Sequence, residues 1–215
     1  MSRNLLVVAL VFLSACGGTT SGTAATAAGA PAASTVPGAA APAATTQAPA
    51  VAGSTSGLTA ADVPAGFTKC PQSGDVSKSS DKDTLGEWGY QSAHGATSGD
   101  AEIFADSAAG CEGIVAVGNG SGKVIGSIVV KFKDAATAMA GYGGMFGVNS
   151  DSLAKTPGSS TGTATGFGAT STYSYTAKTA AVIWLSGTTV IAVTGQNVAE
   201  SDFKKAATAL KSRIG

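Results

Sequence analysis

The chain has 215 residues, 13 Lys+Arg against 13 Asp+Glu, only 12% charged residues, 30 glycines, three cysteines and one histidine, His94. A neutral balance with no basic run leaves no electrostatic footprint for nucleic acid, and a single histidine cannot build a multi-histidine metal cage or a two-histidine relay. Charge at half the usual ~25% marks part of the chain as something other than ordinary globular sequence.

Residues 1–15 read as a signal peptide. Arg3 supplies a positive start, and the apolar run from Leu5 to Leu13 is far shorter than the ~20 residues that cross a bilayer. Leu13-Ser14-Ala15-Cys16 follows at once. These four residues resemble the lipobox of bacterial lipoproteins, in which small residues admit the peptidase and the cysteine thiol takes a diacylglyceryl thioether. The resemblance implies a mature chain that begins at lipidated Cys16 and is anchored at the extracytoplasmic face of the cell membrane. Each buried methylene of the acyl chains contributes ~0.8 kcal/mol, so two or three chains hold the protein there without spanning.

Residues 16–57 form the lipidated cysteine and its spacer. From Gly17 to Gly57 there is no charged residue, only Ala, Thr, Gly, Ser, Pro, Val and one Gln. Pro31, Pro37, Pro42 and Pro49 interrupt any alanine helix, and no amphipathic period is present. The expectation is a disordered tether of roughly 40 residues, about 35 to 40 Å end to end as a flexible coil. Its threonines beside Ala and Pro leave two readings open, a bare tether or an O-glycosylated one.

Residues 58–215 then form a single domain, long enough to bury about 68 to 70% of its unfolded surface. Cys70 and Cys111 are the cysteines left once Cys16 is lipidated, and an even pair in an exported chain argues for a disulfide worth ~4 kcal/mol by loop closure. Free buried thiols are the alternative.

In chain order, Thr59 to Val63 reads as a helical turn stopped by Pro64-Ala65-Gly66, and Trp88-Gly89-Tyr90 alternates like a strand. Ile114 to Val117 and Val124 to Phe132 are β-rich runs joined by the glycine-rich stretch 118–122, a candidate hairpin. Asp134 caps a helix expected to carry Met139 and Tyr142 inward and to fray at Gly143-Gly144. Residues 150–162 read as a loop. Tyr173 and Tyr175 share one face of a strand, opposite Thr172 and Ser174. Ala181 to Leu185 and Thr189 to Thr194, joined through Ser186-Gly187, are apolar on both faces and therefore expected to be central strands. Asn197 and Glu200 resemble a capping box for a last helix that buries Phe203, Ala206, Leu210 and Ile214.

The fold class expected is α+β, a largely antiparallel sheet with two main helices on one face. An internal echo adds to this: the octapeptide from Phe132 to Met139 matches that from Phe203 to Leu210 at six of eight positions. It reads either as two hairpin-plus-helix units or as chance similarity between Ala-rich helices.

Catalytic motifs mostly fail. Gly118 to Lys123 has Val117 where a phosphate loop needs Gly, and Val124 where it needs Ser or Thr. Ser79-Ser80-Asp81-Lys82 fits a serine-x-x-lysine pattern, but in a polar, turn-rich segment, and Lys178-Thr179-Ala180 ends in Ala instead of Gly. His94 lies between Ala93 and Gly95 and reads as a loop residue, with a general base as the weaker option. No catalytic residue, metal ligand or cofactor is expected. Trp88, Tyr90, Tyr173, Tyr175 and Trp184 supply the candidate contact surface, with core packing as the competing reading; Tyr173 and Tyr175 are the candidate ligand-binding pair.

The layout of lipobox, Ala/Thr/Pro spacer and one α+β module resembles the small envelope lipoproteins of actinobacteria. The Leu-Thr-Ala-Ala-Asp-Val-Pro-Ala-Gly-Phe opening at 58–67, the strand followed by Phe-Lys-Asp-Ala-Ala and the C-terminal hairpin and helix are similar to the extracellular sensor-like module of some mycobacterial serine/threonine kinases and lipoproteins. That resemblance implies ligand sensing or binding in the cell envelope. The expectation is therefore a non-enzymatic, membrane-anchored binding module with a glycan, lipid, small-molecule or protein partner. A lipid carrier, which needs a large apolar cavity, and a small hydrolase are the alternatives.

Overall fold

The computed structural model describes residues 57–111 and 122–214. The leader, Cys16, the spacer up to residue 56, the Ile114 to Val117 run and the turn at 118–121 lie outside the described residues.

The elements in chain order are β1 (Thr68–Lys69), β2 (Gly74–Asp75), α1 (Lys82–Ala93), β3 (Ala96–Ala105), α2 (Ala108–Cys111), β4 (Val124–Phe132), α3 (Ala135–Tyr142), α4 (Ser150–Ala154), β5 (Ser160–Thr161), β6 (Ser171–Tyr175), β7 (Thr179–Ser186), β8 (Thr189–Gln196) and α5 (Glu200–Ile214). Short 3-10 turns occupy Val76–Lys78 and Gly162–Thr165. The eight strands make one antiparallel sheet ordered β1-β3-β4-β8-β7-β6-β5, with β2 also pairing with β3. The α+β class and the antiparallel sheet are as expected.

β4 and β8 lie at the centre. Val190, Ile191, Ala192 and Val193 are all buried, which is what an apolar run covered on both faces requires. β7 and β8 meet through a two-residue loop, Ser186 opposite Thr189, and Gly187 takes φ 60° at the position where a type II′ turn favours glycine.

Side-chain parity divides the core into two layers. Ile125, Val129, Val182, Trp184, Ile191 and Val193 project to the face covered by α5, where Phe203, Ala206, Ala207 and Leu210 are fully buried. Val130, Phe132, Ile183, Val190 and Ala192 project to the other face, against Ala138 of α3 and the Met145–Val148 turn. The two main helices therefore cover opposite faces, not one, and apolar side chains fill both faces at the middle of the central strands. The octapeptide echo marks no repeated unit either: Phe132 ends a strand, whereas Phe203 lies inside a helix.

Several local expectations change. Trp88-Gly89-Tyr90 belongs to α1, whose N-cap Asp81 accepts from the Thr84 amide at 2.7 Å; Trp88 and Gln91, three residues apart, turn inward while Gly86, Gly89 and Tyr90 stay outside. The expected partner of β4 is replaced, because β3 and β8 occupy its two edges. Asp134 does cap α3, but Met139 is 48% exposed, since Ala138 and Gly141 supply the buried side of that helix. Residues 150–162 contain α4 and β5. Asn197 takes φ 53° and donates through Nδ2 to the Gly122 carbonyl at 3.1 Å, while the amide of Phe203 bonds to Ala199. Ala199 thus opens α5, and no capping box forms.

The segment 57–67 runs as a strap beside α5. Leu58 and Val63 join the α5-side core, and the Leu58 amide donates to Ser127 Oγ at 3.0 Å. Gly57 lies so close over Glu102 and Ser127 that a Cβ there would overlap the Glu102 side chain. Glu102, 2% exposed, pairs with Lys69 at 2.6 Å and has no hydrogen-bond partner among the described residues. At the end of α5, Arg213 holds Asp62 and the Gly57 carbonyl. The strap thus begins beside the C-terminus of α5 and ends beside its N-terminus.

Candidate functional site

Cys70 and Cys111 form the expected disulfide, with Cα atoms 5.5 Å apart and both residues buried. It ties the residue after β1 to the short helix α2, and Gln72 Nε2 donates to the Cys111 carbonyl at 3.0 Å across the same junction.

Tyr173 and Tyr175 lie on β6 and share a face as expected, but that face is turned into the core. Tyr173 is 6% exposed and packs on Phe203 with ring centroids 6.0 Å apart. Its hydroxyl donates to Glu200 Oε1 at 2.8 Å, and Lys204 pairs with the same carboxylate at 2.8 Å. Burial, reinforced by the Glu200 carboxylate, raises the phenol well above its ordinary range; Lys204 and the tyrosine hydroxyl lower Glu200. Tyr175 is partly buried on the same cluster and donates to the Val198 carbonyl at 3.1 Å. The pair fastens β6 to the start of α5, with Tyr173 buried and Tyr175 partly buried. Trp184, 1% exposed, is core as well.

The weak catalytic candidates have structural roles. Ser79 Oγ accepts from the Asp81 amide at the entry to α1, and Lys82 is the first residue of that helix. His94 closes α1; its Nδ1 lies 2.7 Å from the Tyr90 carbonyl and its ring stacks on exposed Tyr90 at 4.1 Å. Among the described residues no carboxylate orients it.

Among the described residues, an open groove of about 340 Å³ is lined by Pro64, Ala65, Gly66, Phe67, Asp106, Lys123, Val198, Ala199 and Asp202. Four segments converge to make it. Pro64 to Phe67 is a turn closed by the Phe67 amide on the Pro64 carbonyl, with Gly66 at φ 90° as a type II turn demands. Asp106 leaves β3 and Lys123 enters β4; their backbones exchange a bond at 3.0 Å, and Asp106 Oδ1 accepts from the Lys123 amide at 3.0 Å. Val198, Ala199 and Asp202 come from the first turn of α5 and the residues before it.

Phe67, Pro64 and Val198 make an apolar wall, and Asp106, Lys123 and Asp202 add charges of both signs. Neither the Asp202 carboxylate nor the Lys123 ammonium has an ion pair or hydrogen bond among the described residues. Sequence reasoning singled out Lys123 only within a failed phosphate loop and Pro64 to Gly66 only as a helix stop. Asp106 and Asp202 carry no local signal, because the end of β3 and the first turn of α5 line one groove only in the folded sheet and helix. Among the described residues no three His, Cys, Asp or Glu side chains cluster for a metal, and no helix is long and apolar enough to cross a membrane. Comparison of the chain with family models, curated proteins and solved structures finds no match.

Proposed function

We propose that the protein is a lipoprotein anchored through Cys16 at the extracytoplasmic face of the cell membrane, where the domain beyond the spacer acts as a ligand-binding or sensor module. The reading is carried by the Leu13-Ser14-Ala15-Cys16 sequence behind Arg3 and a short apolar run. The Cys70–Cys111 disulfide supports it, since such bonds persist in oxidising compartments outside the cytoplasm. A charge-free spacer of roughly 40 residues gives the domain reach away from the bilayer. The kinship to small actinobacterial envelope lipoproteins and kinase sensor-like modules belongs to the same proposal.

For binding, the groove at the start of α5 is the favoured site. Its size lies at the low end of the ~300–1,000 Å³ typical of small-molecule pockets. Its charged lining suits a polar ligand better than the acyl chains that a lipid carrier holds.

Anchoring is tested by detergent phase partitioning of the full chain expressed in a bacterial host. The wild-type protein is expected in the detergent phase and susceptible to protease added outside the cytoplasmic membrane, while Cys16→Ser leaves the detergent phase or accumulates as uncleaved precursor. A Cys16→Ser protein that still partitions as a mature, acylated species contradicts the reading.

A further inference from the structure

We infer that the strap over residues 57–67 is a releasable latch, which lifts from the sheet as a unit while the rest of the domain stays folded, and that Glu102 beneath it sets how easily it lifts. The floor under the strap is polar on an otherwise apolar face: Glu102 and its cross-strand neighbour Ser127 lie among Phe104, Ile125 and Val129 on the side of the sheet that α5 covers. Closure leaves Glu102 2% exposed, with the half-exposed Lys69 ammonium at 2.6 Å and no hydrogen bond to either carboxylate oxygen among the described residues. A carboxylate taken out of water needs a partner and further hydrogen bonds to offset its lost hydration, and Glu102 has the first without the second. Lifting the strap returns water to it, so the closed state is held against a local penalty.

The strap is also built to move as a piece. Its backbone–backbone bonds, Asp62 to Thr59 and Phe67 to Pro64, close turns inside it, and the Thr59 amide and hydroxyl both donate to Asp62 Oδ2, at 2.7 and 2.8 Å. What fastens it to the domain is of another kind: the Leu58 amide on Ser127 Oγ, the Arg213 guanidinium on Asp62 and the Gly57 carbonyl, and the side chains of Leu58 and Val63 in the core. Few long-range polar bonds over an internally closed turn are what a segment of low local stability has. Residues 1–56 join the domain through Gly57, so a displacement of the preceding chain is delivered to this latch. Opening uncovers Glu102, Ser127 and the slot that Leu58 and Val63 vacate beside α5.

The test is hydrogen exchange of the full chain in detergent, read by NMR at the Leu58 amide and at the amides of β4 and β8. In the wild-type protein Leu58 is expected to exchange through an opening that leaves β4 and β8 protected. Glu102→Met, which keeps the length of the side chain and removes the charge, is expected to slow Leu58 exchange about tenfold, because Lys69 is left half-exposed and hydrated. Lys69→Met, which leaves the buried carboxylate without its cation, is expected to speed it about tenfold, and the double variant to return to the slow rate. β4 and β8 are expected to be unchanged in all three. Leu58 exchanging only together with β4 and β8 overturns the inference, as does a Glu102→Met protein in which Leu58 is no slower, or in which all amides slow alike. Lys69→Met changes a half-exposed residue and reads the same penalty with the opposite sign; unchanged Leu58 exchange there overturns the inference as well.

Discussion

Arg213 Nη1 donates to Asp62 Oδ1 at 2.8 Å and lies 2.8 Å from Oδ2 of the same carboxylate, joining residues 151 positions apart. Its Nη2 donates to the Gly57 carbonyl at 2.7 Å, so one guanidinium fastens the end of α5 to the point where the spacer enters the domain. Truncating it leaves the buried Asp62 carboxylate with only its bonds from Thr59 and removes the guanidinium donor from the Gly57 carbonyl. Arg213→Ala is expected to lower stability by about 2 kcal/mol, the scale of hydrogen bonds to charged groups, in urea denaturation of the full chain. Arg213→Lys, which cannot reproduce the fork, is expected to recover less than half of that. Unchanged stability in Arg213→Ala means that the strap is held by its apolar residues alone.

The same carboxylate sets a pH dependence. Burial tends to raise Asp62, but the bonds from Arg213 and Thr59 outweigh it and hold the group below the ordinary 3.8. A depressed folded value means that the folded state binds fewer protons than the unfolded one, so this contribution is complete above pH ~4 and is lost as pH falls through the folded value. Asp62→Asn is therefore expected to be less stable than wild type at pH 6 and to approach it at pH 2 to 3. Two denaturation curves separated by a constant gap over that range contradict the assignment.

Reduction of Cys70–Cys111 is expected to destabilise the domain by up to about 4 kcal/mol, the loop-closure value for a bridge spanning a sequence separation of 41. The Cys70→Ala/Cys111→Ala double variant is to be compared with wild type, with and without reductant. A reductant effect that persists in the double variant belongs to something else.

In the sequence, Tyr alternates with Thr and Ser along β6. That pattern ordinarily marks a strand with one wet face. Here Thr172 and Ser174 are as buried as the tyrosine, because the sheet is covered on both sides and Tyr142 reaches across to within 2.9 Å of Thr172 Oγ1. Tyr173→Ala is expected to cost about 3 to 5 kcal/mol, as for other large core truncations, and Tyr173→Phe about 1 kcal/mol for the Glu200 bond. Calorimetric melting of both variants checks this; a Tyr173→Ala protein as stable as wild type returns the residue to the surface.

The elements legible in the sequence were those whose apolar content is continuous or strictly helical: Val124–Phe132, the β7–β8 hairpin, and the face of α5 that buries Phe203, Ala206 and Leu210. β3 was not legible, because Thr97, Ser98 and Asp100 interrupt its apolar pattern, and its pairing with β4 spans a long excursion through α2. α1 was hidden by Gly86 and Gly89, which are poor helix formers placed on its open side. Which face each helix covers depends on register, and one residue of slip would exchange the two layers. The groove was illegible for the same reason, since Asp106, Lys123 and Asp202 meet only after β3, β4 and α5 have found their places.

The most direct test of the account is the intact mass of the protein extracted from the host membrane. A mature chain beginning at Cys16 and carrying a diacylglyceryl group, with or without a further N-acyl chain, is the predicted result, with Cys16→Ser showing no lipid mass. A membrane-derived chain that retains residues 1–15, or that begins at Cys16 with an unmodified thiol, contradicts the anchored-lipoprotein reading.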